Sequence, residues 1–125
     1  MKVLLDTHIL LWWLSGDRSL PQSARHVIAK ESNTVFVSAA TAWEISIKKA
    51  IGKLSAPDDL ESALFASQFE VLPITIPHAL AAGLLPNHHD DPFDRMLVAQ
   101  ARHEGMRLLT HDSRLGLYGD FVDFA

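Results

Sequence analysis

A chain of 125 residues with 48% hydrophobic side chains is long enough for one compact domain with a buried core and too short for two. The absence of cysteine excludes a disulfide framework and thiolate metal sites. A net charge of −4 argues against a simple nucleic-acid-binding module, which would usually be basic, but not against an enzyme that acts on nucleic acid through bound cations. No run approaches the ~20 apolar residues of a membrane span, so we expect a soluble, cytoplasmic protein without membrane association.

Short apolar or β-branched runs alternate with segments of helical spacing along the whole chain. Pro21 and Pro92 mark helix starts, and Gly52 and Gly105 mark helix ends. Pro73 restricts the third strand to an edge or bulged position. The predicted strands span residues 2–5, 34–37, 70–76, 106–110 and 121–124, and the predicted helices span about 8–15, 21–31, 38 or 41 to 50, 57–67, 77–84 and 92–104, with loops at 87–91 and 113–119.

This alternation of strands and helices predicts an α/β fold in a single domain that spans residues 1–125. Right-handed βαβ crossovers give a mostly parallel sheet with helices on both faces. In such a sheet the carboxyl ends of the strands lie along one edge, where ligands bind. Side chains that follow different strands are therefore expected to meet there.

Four carboxylates stand near the points where strands give way to the next element, in the contexts VLLDTH, FVSAATAWE, DPFDRML and LLTHD. Acids held close together in a fold cannot all stay charged without a cation. The sequence therefore predicts a divalent-metal site, for Mg²⁺ or Mn²⁺. The four acids are Asp6, Glu44, Asp94 and Asp112.

Each acid also has a purely structural interpretation. Asp6 suits a helix N-cap, and Glu44 completes the capping-box pattern T-x-x-E. Asp94 lies three residues after Asp91, itself a strong helix-start signal before proline. Asp112 suits a turn. These roles do not exclude metal binding, because a carboxylate at a helix start is also held at the ligand-binding edge of the sheet.

Histidines flank the acids and could ligate zinc or manganese. His8 and His111 adjoin the first and fourth acids, and His88 and His89 lie in the polar loop NHHDD. Hard-cation sites take mainly oxygen ligands, so hydrogen bonding is the favoured role for all four. Among them His8 and His111 are the better ligand candidates.

Cationic and aromatic side chains near the acids allow further roles. Arg95 could contact phosphate or form a structural ion pair. The lysines within residues 48–53 could touch a nucleic-acid backbone, although a solvated helix face is the default. Trp12 and Trp13 point in different directions on a helix, so they are not expected to face one core together. One of them could serve a partner interface or lie partly buried at the core margin.

Three segments resemble the PIN-domain family: LLDTHILLWWL, VSAATAWEISIKKAIGKL and HDDPFDRMLVAQARHEGMRLLTHDSRL. The similarity covers essentially the whole chain and is closest to the VapC-like ribonuclease toxins of prokaryotic type II toxin–antitoxin systems. It implies a PIN-like α/β/α sandwich, a homodimer, and a Mg²⁺- or Mn²⁺-dependent endoribonuclease that hydrolyses RNA phosphodiester bonds. It also implies inhibition by a small antitoxin that binds across the active-site groove.

The resemblance assigns roles position by position. Asp6, Glu44 and Asp94 match the family's three core acids, and Asp112 matches its fourth, more variable acid. All four are thereby implied as metal ligands and catalytic residues for one or two ions. The secondary candidates are Asp91, an additional acid of the DPFDR variant, Thr110, the hydroxyl residue just before the fourth acid, Arg95, and His8, where many relatives have Asn.

Two other protein classes were weighed against this interpretation. A signalling receiver domain needs a phosphoacceptor Asp after its third strand and a Lys after its last. Here the third strand ends in Thr-Ile-Pro, and no lysine follows Lys53, which excludes that class. The second is a catalytically silent PIN fold that binds RNA or a partner, and the intact acids disfavour it.

Overall fold

Five strands form the central sheet of the computed structural model, which describes residues 1–125. They are β1 (Lys2–Leu5), β2 (Thr34–Ser38), β3 (Glu70–Leu72), β4 (Arg107–Thr110) and β5 (Val122–Phe124). Their order across the sheet is β3-β2-β1-β4-β5, and every neighbouring pair runs parallel. The prediction of a mostly parallel sheet is confirmed, and no antiparallel pair occurs.

Six α-helices and one 3₁₀ helix connect the strands. They are α1 (Thr7–Ser15), α2 (Gln22–Ala29), α3 (Ala39–Ala50), α4 (Leu60–Ala66), α5 (Ile76–Leu84), α6 (Pro92–Glu104) and the 3₁₀ helix Ser113–Tyr118. The last replaces the loop expected at 113–119. Strand β3 ends at Leu72 and lies at the sheet edge, because Pro73 cannot donate to a strand ladder. No helix combines the length and apolar character needed to cross a membrane.

The hydrophobic core forms two layers, one on each face of the sheet. Val3 and Leu5 of β1 belong to one buried cluster, with α1 and α2, whereas Leu4 belongs to a second cluster, with α6. This division follows from the two-residue repeat of a strand, which sends successive side chains to opposite faces. A central strand buried on both faces explains why β1 is continuously apolar, and helices on both faces give the expected sandwich.

Both adjacent tryptophans of α1 pack at the margin of the same core cluster. The ring of Trp12 meets His111 edge-on with 4.9 Å between centroids, and the ring of Trp13 lies 6.2 Å from that of Phe69. The expectation that the two cannot face one core is therefore wrong. Trp43 on α3 is instead the exposed tryptophan, with 62% of its surface accessible.

The winding of the chain reverses at the centre of the sheet. From β1 the chain moves to β2 and β3 on one side, and β4 and β5 lie on the other side. The carboxyl ends of β1 and β4 therefore flank a topological switch point, the place where ligands bind in open α/β sheets. Asp6 follows β1 directly, and Asp112 lies two residues past the end of β4.

Candidate metal centre

Twelve residues, none of them hydrophobic, line a pocket of about 430 Å³ at this edge of the sheet. This acid pocket brings together all four predicted acids and the secondary candidates Asp91 and His8. The other lining residues are Thr7, Lys48, His89, His111, Ser113 and Arg114. The sequence-based expectation that the acids meet at one edge agrees with this arrangement.

Asp6 ties three segments together with its two carboxylate oxygens. Oδ1 accepts a hydrogen bond from the Ile9 amide at 2.9 Å, which makes Asp6 the N-cap of α1 as expected. Oδ2 accepts from the His111 amide at 3.1 Å and from the Thr110 hydroxyl. The carboxylate is 6% exposed, and this burial raises the pKa of Asp6 above its ordinary value although the hydrogen bonds oppose the shift.

Glu44 does not belong to a capping box, so that interpretation is wrong. Helix α3 begins at Ala39, and its N-cap is Ser38, whose hydroxyl accepts from the Ala40 amide at 3.0 Å. Glu44 therefore lies in the second turn, where its side chain is buried and turned to the pocket. Its Oε1 accepts from the Thr7 hydroxyl at 2.6 Å.

Lys48 is part of the acid pocket rather than of a solvated helix face. Its ammonium group donates to Oε2 of Glu44, one helical turn earlier, and this contact raises the pKa of Lys48. The charges of Asp91 and Asp94 act on it in the same direction. A lysine placed four residues after a pocket acid is the signal from which this role could have been predicted.

Asp91 and Asp94 divide two roles at the start of α6. Asp91 is the N-cap, and its Oδ1 accepts from the amides of Phe93 at 2.8 Å and of Asp94 at 3.1 Å. Asp94 returns no hydrogen bond to the cap, and its nearest cationic or donor contact is His89 Nε2, at 3.4 Å from Oδ2. Burial, followed by the charges of Asp91 and Asp6, raises the pKa of Asp94 to about 7.

Asp112 is the N-cap of the 3₁₀ helix and is held by a guanidinium group. Arg114 Nε lies 3.0 Å from Oδ1 and Arg114 Nη2 lies 2.8 Å from Oδ2, a two-point contact. This contact holds the pKa of Asp112 well below its usual range. Sequence reasoning missed Arg114, because an arginine two residues after an acid in a loop has no distinctive pattern.

The structure places His89, rather than His8 or His111, against the acids. His89 is 8% exposed, and its Nε2 lies 2.9 Å from Oδ2 of Asp112. His8 and His111 line the pocket but are exposed, and His111 stacks on Phe124 with 5.4 Å between ring centroids. The signal for His89 lies in the tripeptide pattern H-x-D before a helix, because its Nδ1 accepts a hydrogen bond from the amide of the N-cap residue Asp91.

Two of the secondary candidates lie outside the pocket lining. Thr110 stands behind Asp6 and donates to it. The guanidinium group of Arg95 donates to the backbone carbonyls of Ala82 at 3.0 Å and Leu85 at 3.1 Å, and it contacts no carboxylate. Arg95 therefore anchors the segment before α6 and forms no ion pair with a neighbouring acid.

The chemistry of the donor set fits a hard divalent cation. The pocket presents carboxylate oxygens and no sulfur. Ligand atoms of His89, Asp94 and Asp112 lie within 4.8 Å of one another. Two of the acids form salt bridges with a basic side chain, Glu44 with Lys48 and Asp112 with Arg114. Asp6 and Asp94 form no salt bridge with a lysine or arginine. A bound cation would supply the missing counter-charge to these two.

Comparison with known proteins identifies a family and a relative of this chain. The family model for the PIN domain matches residues 3–120 of this chain. The chain is also 32% identical over 121 residues to ribonuclease VapC22 of Mycobacterium tuberculosis, in an alignment that covers 90% of this chain and 88% of that protein.

Solved structures share the fold over nearly the full length. VapBC2 from Rickettsia felis, bound to a DNA fragment from the promoter, superposes with a TM-score of 0.68 at 18% identity and covers 100% of this chain and 98% of its own. A toxin–antitoxin complex from Klebsiella pneumoniae gives a TM-score of 0.67 at 20% identity and covers 97% and 95%. At these identities the likeness establishes the fold alone.

The raised pKa of Asp94 predicts how the stability of the metal-free protein depends on pH. The folded state, with this pKa at about 7, binds more protons than the unfolded chain with its ordinary value near 4. The contribution of Asp94 to the free energy of unfolding should therefore fall as the pH rises from about 4 to about 7, by up to about 4 kcal/mol. Urea unfolding in EDTA at several pH values measures this change.

Asp94→Asn should remove the part of this pH dependence that Asp94 contributes, and the buried Asp6, whose pKa is also raised, should leave a slope of the same sign. Asp90→Asn, at an exposed neighbouring carboxylate, is the control and should leave the full dependence. The same pH dependence in Asp94→Asn as in the wild type would contradict the electrostatics described for Asp94.

Proposed function

The chain belongs to the PIN-domain family, and on that premise we propose that it is a Mg²⁺- or Mn²⁺-dependent endoribonuclease, the toxin of a type II toxin–antitoxin pair. The observation that carries the proposal is the meeting of Asp6, Glu44, Asp94 and Asp112 in a wholly polar pocket. The similarity to a protein named a ribonuclease supports RNA as the substrate. The bond that the protein would hydrolyse is then the phosphodiester bond of RNA.

The four acids are proposed as the ligands of one or two cations. Asp94 suits a direct ligand because its carboxylate carries no strong hydrogen bond and its pKa is raised by burial and by neighbouring negative charge. Asp6 and Asp112 offer oxygens from opposite sides of the switch point. A bound Mg²⁺ or Mn²⁺ supplies counter-charge to the phosphoryl oxygens and lowers the pKa of a coordinated water.

The remaining pocket residues would orient the reactants. The contacts of Glu44 with Thr7 and Lys48 hold its carboxylate where it can bind a cation through water or orient the attacking water. Lys48 and Arg114 are the lysine and arginine side chains that line the acid pocket. Both could contact RNA oxygens at the rim, because Lys48 is 34% exposed and Arg114 is 65% exposed at the side chain.

An apolar cavity beside the acid pocket supports an antitoxin partner. This cavity, of about 530 Å³, is walled by Leu11, Trp12, Leu14 and Pro57, and His8 lines both spaces. A protein segment with an apolar anchor and a nearby cationic side chain would fit the pair of spaces. We propose that such a segment belongs to the small antitoxin implied by the family resemblance.

An exposed apolar stripe supports a homodimer. Ile76, Leu80 and Leu84 of α5 follow one another at four-residue spacing and are 73%, 66% and 86% exposed. Residues at this spacing share one helix face, and contiguous exposed apolar surface marks interaction sites. We propose that this face pairs with a second copy of the chain.

Two amide substitutions test the nuclease. Asp6→Asn and Asp94→Asn should each reduce Mn²⁺-dependent RNA cleavage by more than about 100-fold. Asp94→Asn should leave the fold intact because Asp94 caps nothing. Asn at position 6 can still cap α1 but loses the acceptor for the His111 amide, so Asp6→Asn should fold with reduced stability. Cleavage of RNA by the purified protein with Mn²⁺, with Mg²⁺ and with EDTA measures the loss, and circular dichroism checks the fold.

Asp90→Asn, just outside the pocket, is the matched control for these variants. Unchanged cleavage in both amide variants, or cleavage that resists EDTA, would refute the metal-nuclease assignment. RNA binding without cleavage by the wild-type protein would favour the catalytically silent alternative.

The apolar cavity beside the acid pocket predicts that inhibition by the antitoxin can be weakened without loss of RNA cleavage. Ser55→Arg adds a large cation to an exposed wall of the cavity and should weaken antitoxin binding by more than about 10-fold, while RNA cleavage by the protein alone is kept. The assay compares the growth of cells that express each variant with and without the product of a small open reading frame beside the gene of this protein. Ser32→Arg, at the opposite edge of the sheet, should remain inhibited, and equal inhibition of both variants would argue against this cavity.

The dimer face predicts a change in mass. Light scattering should give twice the chain mass of 13.9 kDa for the wild type. Leu80→Lys should shift the protein to the monomer, because a charge in an apolar interface is left without a partner. Leu117→Lys, at an exposed leucine of the 3₁₀ helix, is the control, and a wild-type monomer would refute the proposal.

A further inference from the structure

His89 is a buried side chain that faces two of the four acids at once. Its Nε2 lies 2.9 Å from Oδ2 of Asp112 and 3.4 Å from Oδ2 of Asp94. The two acids come from different elements, Asp94 from α6 and Asp112 from the segment after β4. A single ring nitrogen therefore bridges the two walls of the acid pocket.

The hydrogen bond at Nδ1 determines whether Nε2 of His89 is a donor or an acceptor. The backbone N–H of Asp91 donates to Nδ1 of His89 at 3.0 Å, so the lone pair of Nδ1 is in use. In a neutral imidazole with an accepting Nδ1, the proton resides on Nε2. An Nε2–H group donates hydrogen bonds and has no lone pair for a cation. His89 thus differs from a metal-ligating histidine, whose second nitrogen donates to an acceptor.

We propose that His89 is a positioning residue of the metal centre, locked in its Nε2–H tautomer, which donates to Asp112, lies against Asp94 and so holds the two carboxylates in place around the cation. The consequence for RNA cleavage rests on the proposed function. The tautomer does not, and its effect on cation affinity rests only on the proposed binding of a cation by the acids. Residues that hold metal ligands by hydrogen bonds typically contribute 10–100-fold in affinity.

A second histidine shows the same arrangement away from the pocket. Nδ1 of His78 accepts the backbone N–H of Thr75 at 3.1 Å, and its Nε2 faces Oε2 of Glu104 at 3.3 Å. Ligand atoms of His78, His103 and Glu104 come within 4.8 Å of one another, yet the tautomer again leaves Nε2 as a donor. This group therefore has the composition of a metal site without the lone pair that one needs.

The tautomer and the cation affinity can be measured on the full-length protein. Long-range ¹H–¹⁵N NMR should show the proton of His89 on Nε2, and the signal should persist at saturating Mg²⁺. His89→Leu should weaken Mn²⁺ binding, measured by electron paramagnetic resonance, by about 10–100-fold. His89→Gln, which keeps an N–H donor of similar reach, should restore most of the affinity.

His88→Leu, at the exposed neighbouring histidine, is the control and should bind Mn²⁺ like the wild type. Loss of the Nε2 proton on addition of Mg²⁺ would make His89 a ligand and overturn the proposal, as would unchanged Mn²⁺ affinity in His89→Leu. If His89→Leu fails to fold, the wild-type NMR spectrum and the Mn²⁺ affinity of His89→Gln still test the proposal. A wild-type protein with the expected tautomer and Mn²⁺ affinity but no RNA cleavage would refute the nuclease and support the positioning role.

Discussion

The carboxylate of Asp6 is the contact on which the site depends. It caps α1 through Ile9, and it accepts from Thr110 and His111 at the end of β4. The backbone amide of Asp6 also donates to the Leu109 carbonyl at 3.0 Å, which extends the pairing of β1 with β4. The side-chain contacts of Asp6 with Thr110 and His111 join the same two segments. One buried acid thereby joins residues 104 or more positions apart in sequence and sets the edge along which the other acids gather.

The acid pocket divides its four carboxylates into two electrostatic classes. Glu44 forms a salt bridge with Lys48, and Asp112 forms one with Arg114. Asp6 and Asp94 form none with a lysine or arginine, and burial raises the pKa of each. A divalent cation would neutralise the second class, and the first class is already compensated. This division explains how a small domain with a net charge of −4 tolerates so many acids in one pocket.

Caps and apolar repeats made much of the fold predictable. Asp91 before Pro92 predicted the start of α6, and Pro73 predicted that β3 lies at an edge. The Glu44 capping box failed because Ser38, three residues before Thr41, offered an earlier cap to the same helix. Local patterns rank candidate caps, but only packing against the sheet decides where a helix starts.

The sequence by itself determined the order of strands and helices and the acids that follow them, because apolar period, caps and breakers act over a few residues. Only the tertiary structure decided which side chains serve those acids. His89, in the segment before α6, reaches Asp112 over 23 positions, and Thr110 reaches Asp6 over 104 through the parallel pairing of β4 with β1. Such contacts leave no local pattern, since their geometry arises from the crossover connections and not from neighbouring residues.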